Sequence, residues 1–239
     1  MMHNRSISQR LHEDLARIID VTHSGDRLPS EPELARRLGV SRATLRESMR
    51  TFETQGLIRR RQGSGTYVVH PAQVMESGLE VLESIDTMAE RIGLPVSMGE
   101  LKIDHRLASP EETQALELAP GARVIHLGRV ILAEGRPAAY LIDIIPDDIL
   151  SPQDLKGDFT GSVLDIFVHR YLPTTLSSRC EINAVTATVD VARKLGIQRG
   201  DVLLRFIAYL YTSPGRVLDY SFSYFLPGYF RFHVIRRVG

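Results

Sequence analysis

The chain has 239 residues, 43% apolar and 24% charged, with 29 basic side chains against 29 acidic ones and a formal net charge of zero. This length suits two domains, and the composition supplies buried cores, excluding a disordered or fibrous chain. A single cysteine, Cys180, excludes an intramolecular disulfide framework and a cysteine-rich metal site.

No apolar run reaches the roughly 18 residues that a membrane span requires, and MMHNRSISQRL lacks the apolar core of a signal peptide. The expected location is the cytoplasm. The balanced total hides an asymmetry, because residues 1–70 carry 12 Arg and no Lys against 8 acids, and the remainder carries 17 basic residues against 21 acids. A basic front joined to an acidic back predicts an anionic partner for the front.

In chain order, Ile7, Leu11, Leu15, Ile18 and Ile19 follow helical spacing, and Ser24-Gly25-Asp26 ends that first helix. LPSEPELARRLG predicts a short second helix with Ser30 as N-cap, Glu33 as its capping-box partner and Gly39 as the C-terminal break. Ser41 caps a third helix that runs through Leu45, Met49 and Phe52 to Gln55-Gly56. Leu57-Ile58 and Tyr67-Val68-Val69 are two short strands around RRRQGSGT. This order predicts a winged helix-turn-helix domain over 1–70, followed by a linker over 71–83.

Residues 84–239 contain an internal repeat. SPEETQALELAPGARVIHLGRVILAEGRPAAYLIDIIP (109–146) and TATVDVARKLGIQRGDVLLRFIAYLYTSPGRVLDYSFSYFLP (186–227) each give an acid-bearing helix, a glycine turn, an apolar strand, a second turn and a second strand. Their offset stays between 79 and 81 residues, which predicts two helix-plus-hairpin units in one antiparallel sheet. GSVLDIFVHRY between them reads as a helix capped by Ser162. The fold class is α+β, with a sheet able to enclose a small ligand. SSRCEINAV reads as a strand, so Cys180 is expected to be a packed thiol.

A helix in the major groove presents its first turns to base edges and its flanks to phosphates, and needs long hydrogen-bonding side chains there. Arg42, Thr44 and Arg46 meet that need, and one turn later Arg50 suits a phosphate. The tip Gln62-Gly63-Ser64-Gly65 is slim enough to enter a minor groove while Arg59 to Arg61 neutralise phosphates. The bland alternative is a solvated basic helix beside a surface hairpin. Helix order, caps, basic positions and glycine tip together favour double-stranded DNA.

LPSEPELARRLGVSRATLRESMRTFETQGLIRRRQGSGTYV resembles the DNA-binding domain of the GntR family of bacterial transcription regulators. The resemblance implies that Arg42, Thr44, Arg46, Gln62 and Gly63 touch operator DNA.

In the back half, Ser84 and Ser162 each start a helix, where unpaired amides favour an anion. Arg129 interrupts an apolar strand and, being costly to bury unpaired, predicts either an acidic ligand or an internal acid. LESIDTMAERIGLP, LGRVILAEGRP, GSVLDIF, ARKLGIQRGDVLLRF and VLDYSFSYF are similar to the HutC subfamily, whose UTRA effector domain has a chorismate-lyase-like fold. In such domains the positions of Ser84, Arg129 and Ser162 hold the phosphate or carboxylate of an effector. Sugar-phosphate binders carry an arginine and an acid where this chain has Ile131 and Leu141, and a longer acid where it has Asp219. The departures imply a smaller or more apolar acidic metabolite, with Asp219, Tyr209 and Tyr224 as candidate polar liners.

The 8 histidines form no HxxH or HxxxH pair, and no paired acids or nucleophile arrangement suggests catalysis. No metal, cofactor or enzyme activity is expected. The resemblance implies a homodimeric regulator, most often a repressor in this family, with an effector-independent regulator whose back domain only dimerises as the alternative.

Overall fold

Three helices and a hairpin make the first part of the molecule: α1 (Ile7–Asp20), α2 (Glu31–Leu38), α3 (Arg42–Thr54), β1 (Ile58–Arg61) and β2 (Gly65–Val68). The computed structural model describes residues 7–23, 25–54, 57–61, 63–68, 74–155, 159–171, 176–212 and 215–236. The chain divides into two units, Met1–Val74 with Pro227–Tyr229, and Met75–Leu226 with Phe230–Gly239.

The first unit is held by the apolar stripes that the helical spacing predicts. Leu11, Leu15 and Ile19 of α1 meet Leu34 and Ala35 of α2, and Leu45, Met49 and Phe52 of α3, with Leu28, Ile58 and Val68 closing the cluster. Gly39 ends α2 in the left-handed region at φ 67°, and the Ser41 hydroxyl accepts the Thr44 N–H at 3.1 Å to start α3. One expected cap is absent: Ser30 stands at the N-cap of α2 without a side-chain hydrogen bond, so no capping box forms. Pro32, in the first turn, removes one of the N–H groups that an N-cap oxygen would take.

The hairpin pairs antiparallel from Ile58 opposite Val68 to Arg61 opposite Gly65. A third extended segment lies beside β2: Gly25 N–H donates to Val68 O (2.7 Å), Leu28 N–H to Thr66 O (2.8 Å) and Val68 N–H to Asp26 O (2.9 Å). Gly65 is required there, because φ is +119° and a side chain would collide with Arg27.

The second unit runs β3 (Met75–Gly78), α4 (Ile85–Arg91), β4 (Val96–Leu107), α5 (Pro110–Ala115), β5 (Arg123–Ala133), β6 (Arg136–Pro146), α6 (Val163–Tyr171), β7 (Leu176–Thr186), α7 (Val189–Leu195), β8 (Val202–Thr212), β9 (Val217–Phe225) and β10 (Phe230–His233). Six strands form one antiparallel sheet in the order β4-β5-β6-β9-β8-β7. The expected repeat is present and longer than expected, since each half begins with a further strand, β4 or β7, and the halves meet where β6 pairs β9. Helix α6 packs on one face through Val163 and Phe167 against Ile125, Leu127, Leu210 and Leu218. The region of α5 covers the other, with Ala115 and Leu116 near Val124, Ile144 and Tyr220.

The segment expected to be a linker, 71–83, contains β3, which pairs in parallel with β10. Phe232 of β10 packs on Phe206 and Phe225 at ring distances of 4.6 and 5.0 Å, tying this small ladder to the large sheet. Four residues of the MESG type carry little apolar periodicity, so only their distant partner reveals the strand.

Candidate functional site

The exposed side of α3 is polar because its apolar side is spent on the core. Leu45 and Met49 are buried, while Arg42, Thr44, Arg46 and Arg50 are exposed. Arg42 has no side-chain partner among the described residues. Arg46 donates through Nε to Glu31 at 2.6 Å, and Arg60 Nη2 lies 3.5 Å from the same carboxylate. Arg50 reaches Glu47 at 3.5 Å. These pairs join α2, α3 and the hairpin at the surface, where each is worth at most about 1 kcal/mol and is exchangeable for a phosphate. Arg59 lies on β1 and is partly exposed. Gly63 is exposed at φ +75°, and a Cβ placed there meets open space. Gln62, also expected in the interface, lies outside the described residues.

In the second unit, Ser84, Arg129, Ser162 and Asp219 wall one cavity of about 500 Å³. Alternation along the strands creates it. On β9, Asp219, Ser221, Ser223 and Phe225 line the cavity, as do Phe206, Ala208 and Leu210 of β8, so small side chains leave room where the opposite face carries rings. The hydroxyls of Ser84 and Ser162 cap α4 and α6, accepting the N–H of Thr87 and Asp165, each at 3.1 Å.

Arg129 is 4% exposed and meets an internal acid: its Nη1 donates to Asp143 and its Nε to the Gly161 carbonyl. These bonds use two of its five N–H donors. Asp143 lies on β6 two residues beyond Leu141, which faces Arg129 across the ladder, and opposite Ser221 of β9. Asp219 is 5% exposed, and its Oδ1 is buried without a hydrogen-bond partner among the described residues. Burial, then the neighbouring Asp143 carboxylate, hold its pKa well above the ordinary carboxylate value, and Arg129 offsets this only in part. Asp86, in the first turn of α4, is raised too, by burial and then by Asp165.

These shifts set a pH dependence. The unfolded chain ionises Asp219 near the ordinary value of about 3.9, whereas the native state keeps the proton to higher pH. Above about pH 4 the native state therefore binds more protons than the unfolded chain, and stability falls as pH rises through the raised value, by up to about 1.4 kcal/mol per pH unit. Asp219→Asn should flatten this slope between pH 5 and pH 8 in urea denaturation, leaving the smaller part due to Asp86. Identical slopes for the two proteins would show that Asp219 ionises normally in the native state.

Two expected liners are not in the cavity. Tyr224 differs from Asp219 by an odd number of residues on one strand, so it points to the opposite face, where it stacks on Tyr140 at 6.3 Å. Tyr209 stands opposite Tyr220 and stacks on it at 4.9 Å, again on the far face. Asp143, which the sequence reading missed, was signalled by the same parity, two residues from Leu141. Cys180 is exposed on the terminal strand β7 and also lines the cavity, in place of the packed thiol expected. Partial loss of hydration beside the sheet, then the neighbouring Glu181 carboxylate, raise its thiol pKa. Among the described residues no helix is long and apolar enough to cross a membrane.

Residues 4–68 match the model of the bacterial regulatory proteins of the gntR family, and residues 92–231 match the UTRA domain. The chain is 30% identical over 181 residues to the histidine utilization repressor of Pseudomonas putida, spanning 74% of this chain and 70% of that protein. It is 30% identical over 199 residues to the HTH-type transcriptional repressor NagR of Bacillus subtilis, spanning 82% and 79%. It is 27% identical over 236 residues to the mannosyl-D-glycerate transport/metabolism system repressor MngR of Escherichia coli, spanning 97% and 94%. The crystal structure of PhnF from Mycobacterium smegmatis shares the fold with a TM-score of 0.62 at 20% identity, over 96% of this chain and all of that one. A cationic helix-turn-helix unit with a hairpin wing, followed by a duplicated α+β sheet, is thus matched in both halves, and the chain belongs to the GntR family, in its HutC group with a UTRA domain, as a DNA-binding transcription regulator and not an enzyme.

Proposed function

We propose that this chain is a repressor that binds operator DNA through α3 and the β1–β2 wing as a homodimer, and that a small acidic metabolite in the cavity controls its operator affinity. The observation that carries the second part is the cavity of about 500 Å³, within the usual range for small-molecule sites, walled by Ser84, Arg129, Ser162 and Asp219. The acid group of the ligand meets the hydroxyls of Ser84 and Ser162 and the donors of Arg129 that Asp143 and Gly161 do not use. Arg42, Thr44 and Arg46 read base edges, Arg50 and Arg59 contact phosphates, and the tip at Gln62 and Gly63 enters the minor groove. In a dimer the two copies of α3 occupy half-sites about one DNA turn, roughly 34–36 Å, apart.

Several named relatives are repressors, which supports the sign of regulation. A thermal-shift screen of the full chain against sugar phosphates, phosphonates and small carboxylates tests the effector. A true ligand at 100 times its dissociation constant stabilises the protein by about 2.7 kcal/mol. Absence of any stabilising compound would favour the regulator whose back domain only dimerises.

A further inference from the structure

We propose that β7 is the seam of the homodimer: its outer edge pairs antiparallel with the same edge of a second copy, in the register that sets Cys180 opposite Cys180. The inference rests on the dimer reading above and names its surface.

β4 and β7 end the six-stranded sheet, and they are finished differently. A free strand edge carries unpaired N–H and C=O groups and invites another strand, so edges are normally blunted by bulges, lysines, prolines or covering groups. β4 has such devices. Pro95 precedes it, its register with β5 shifts between Met98 and Leu101, Lys102 stands in it, and Glu100 is tied to Lys194 of α7. β7 has none of them. Its 11 residues, LSSRCEINAVT, contain no proline, lysine or glycine, and they pair with β8 in one unbroken register from Leu176 opposite Thr212 to Thr186 opposite Val202. Positions Ser177 to Ala184 are all exposed, on both faces of the sheet, and among the described residues no strand adjoins their outer edge. An open edge this long and regular is an aggregation hazard unless a strand covers it.

The side chains of β7 fit β7 itself. A two-fold axis normal to the sheet keeps like faces together, so the pairing is centred on one residue of the strand. Centred on Cys180, it sets Arg179 opposite Glu181 of the partner subunit and Glu181 opposite Arg179 of the partner subunit, two opposite-charge pairs on one face. Moving the centre by one residue sets Arg179 against Arg179 or Glu181 against Glu181, and like charges directly opposite are destabilising. Within one chain Arg179 and Glu181 already meet at 2.9 Å, both exposed, so each can exchange its neighbour for the partner's charge at little cost. Ser178 and Cys180 also line the cavity, so the seam runs along its wall.

The test uses the full chain. Diamide, reduced to its hydrazine as it takes the two thiol hydrogens, should link the dimer through Cys180 of each copy. Directly opposite residues lie about 4.5–5.5 Å apart at Cα, inside the range that a disulfide spans. Cys180→Ser with Ser178→Cys should not link, because position 178 is offset from its counterpart by four residues, about 14 Å along the strand. Adding Ile182→Cys to that variant should restore linking, since 178 and 182 are then opposite. Sedimentation equilibrium should show the dimer dissociation constant raised by roughly 2- to 30-fold in Arg179→Glu and in Glu181→Arg, the range for two cross-strand charge pairs. Combining the two substitutions should return it to near the wild-type value. In a protein that is dimeric, absence of linking at Cys180, equal linking through Ser178→Cys alone, or charge reversals without effect would each overturn the β7 seam and leave the dimer standing. A chain that stays monomeric at every concentration would overturn both.

Discussion

Arg42→Ala and Arg46→Ala should each weaken operator binding by roughly 5- to 150-fold, the range set by about 1–3 kcal/mol per bidentate arginine–guanine contact. The side chains are exposed, and neither belongs to the cluster that holds the first unit together, so folding should be unaffected. Arg46 is tied to Glu31 at 2.6 Å, but an exposed ion pair of this kind is worth less than the base contact it would yield to. Binding to unrelated DNA should fall much less, because it depends on the sum of phosphate contacts rather than on base edges. Mobility-shift titrations at one fixed salt concentration separate the two effects. Wild-type affinity and specificity in both variants would remove α3 from the interface.

Arg129→Ala should be the most damaging single change in the second unit. It leaves Asp143 buried without its cation, beside a second buried acid, and breaking a buried pair from one side costs about 3–5 kcal/mol. Against a domain stability of roughly 5–15 kcal/mol, that is a large share. Replacing the pair on both sides, as Arg129→Met with Asp143→Leu, should cost far less, because no uncompensated charge remains. The double variant should therefore fold, yet lose the response of operator affinity to any cavity ligand. Urea denaturation orders the three proteins, and near-equal stabilities of wild type and Arg129→Ala would show that solvent already reaches the pair.

The first unit was legible in the sequence because its signals are local. Caps at Ser41 and Gly39 and apolar residues at helical spacing fix α2 and α3 without reference to distant partners. The extended segment at Gly25–Leu28 was not legible, since its hydrogen bonds go to β2, about forty residues later. In the second unit the repeat exposed four of the six sheet strands. β4 escaped notice because it flanks the sheet with no fully buried position and lacks the apolar run that marked its neighbours, and β7 was read as a strand from SSRCEINAV but not as part of the repeat. β3 escaped because its partner is β10, near the other end of the chain.

The cavity was half legible. Ser84, Arg129, Ser162 and Asp219 do meet around one space, brought there by two helix starts and two strands. The tyrosines failed because residue type was weighed without strand parity: VLDYSFSYF alternates Asp219, Ser221 and Ser223 with Tyr220, Phe222 and Tyr224, and a pleat cannot put both sets on one side. Applied to β6, the same rule would have found Asp143. Of the two partners expected for Arg129, an acidic ligand or an internal acid, the structure supplies the acid, Asp143.

Coupling between the cavity and the DNA surface is the centre of this account, and linkage gives it a strict form. If a ligand changes operator affinity by some factor, the operator must change ligand affinity by the same factor, typically about 5- to 150-fold. The decisive measurement is the dissociation constant of a cavity ligand for the full chain, with and without saturating operator, beside the operator dissociation constant with and without that ligand. The account predicts two equal ratios, both well removed from one. A ligand that stabilises the protein through the cavity yet binds equally well with and without operator would contradict it.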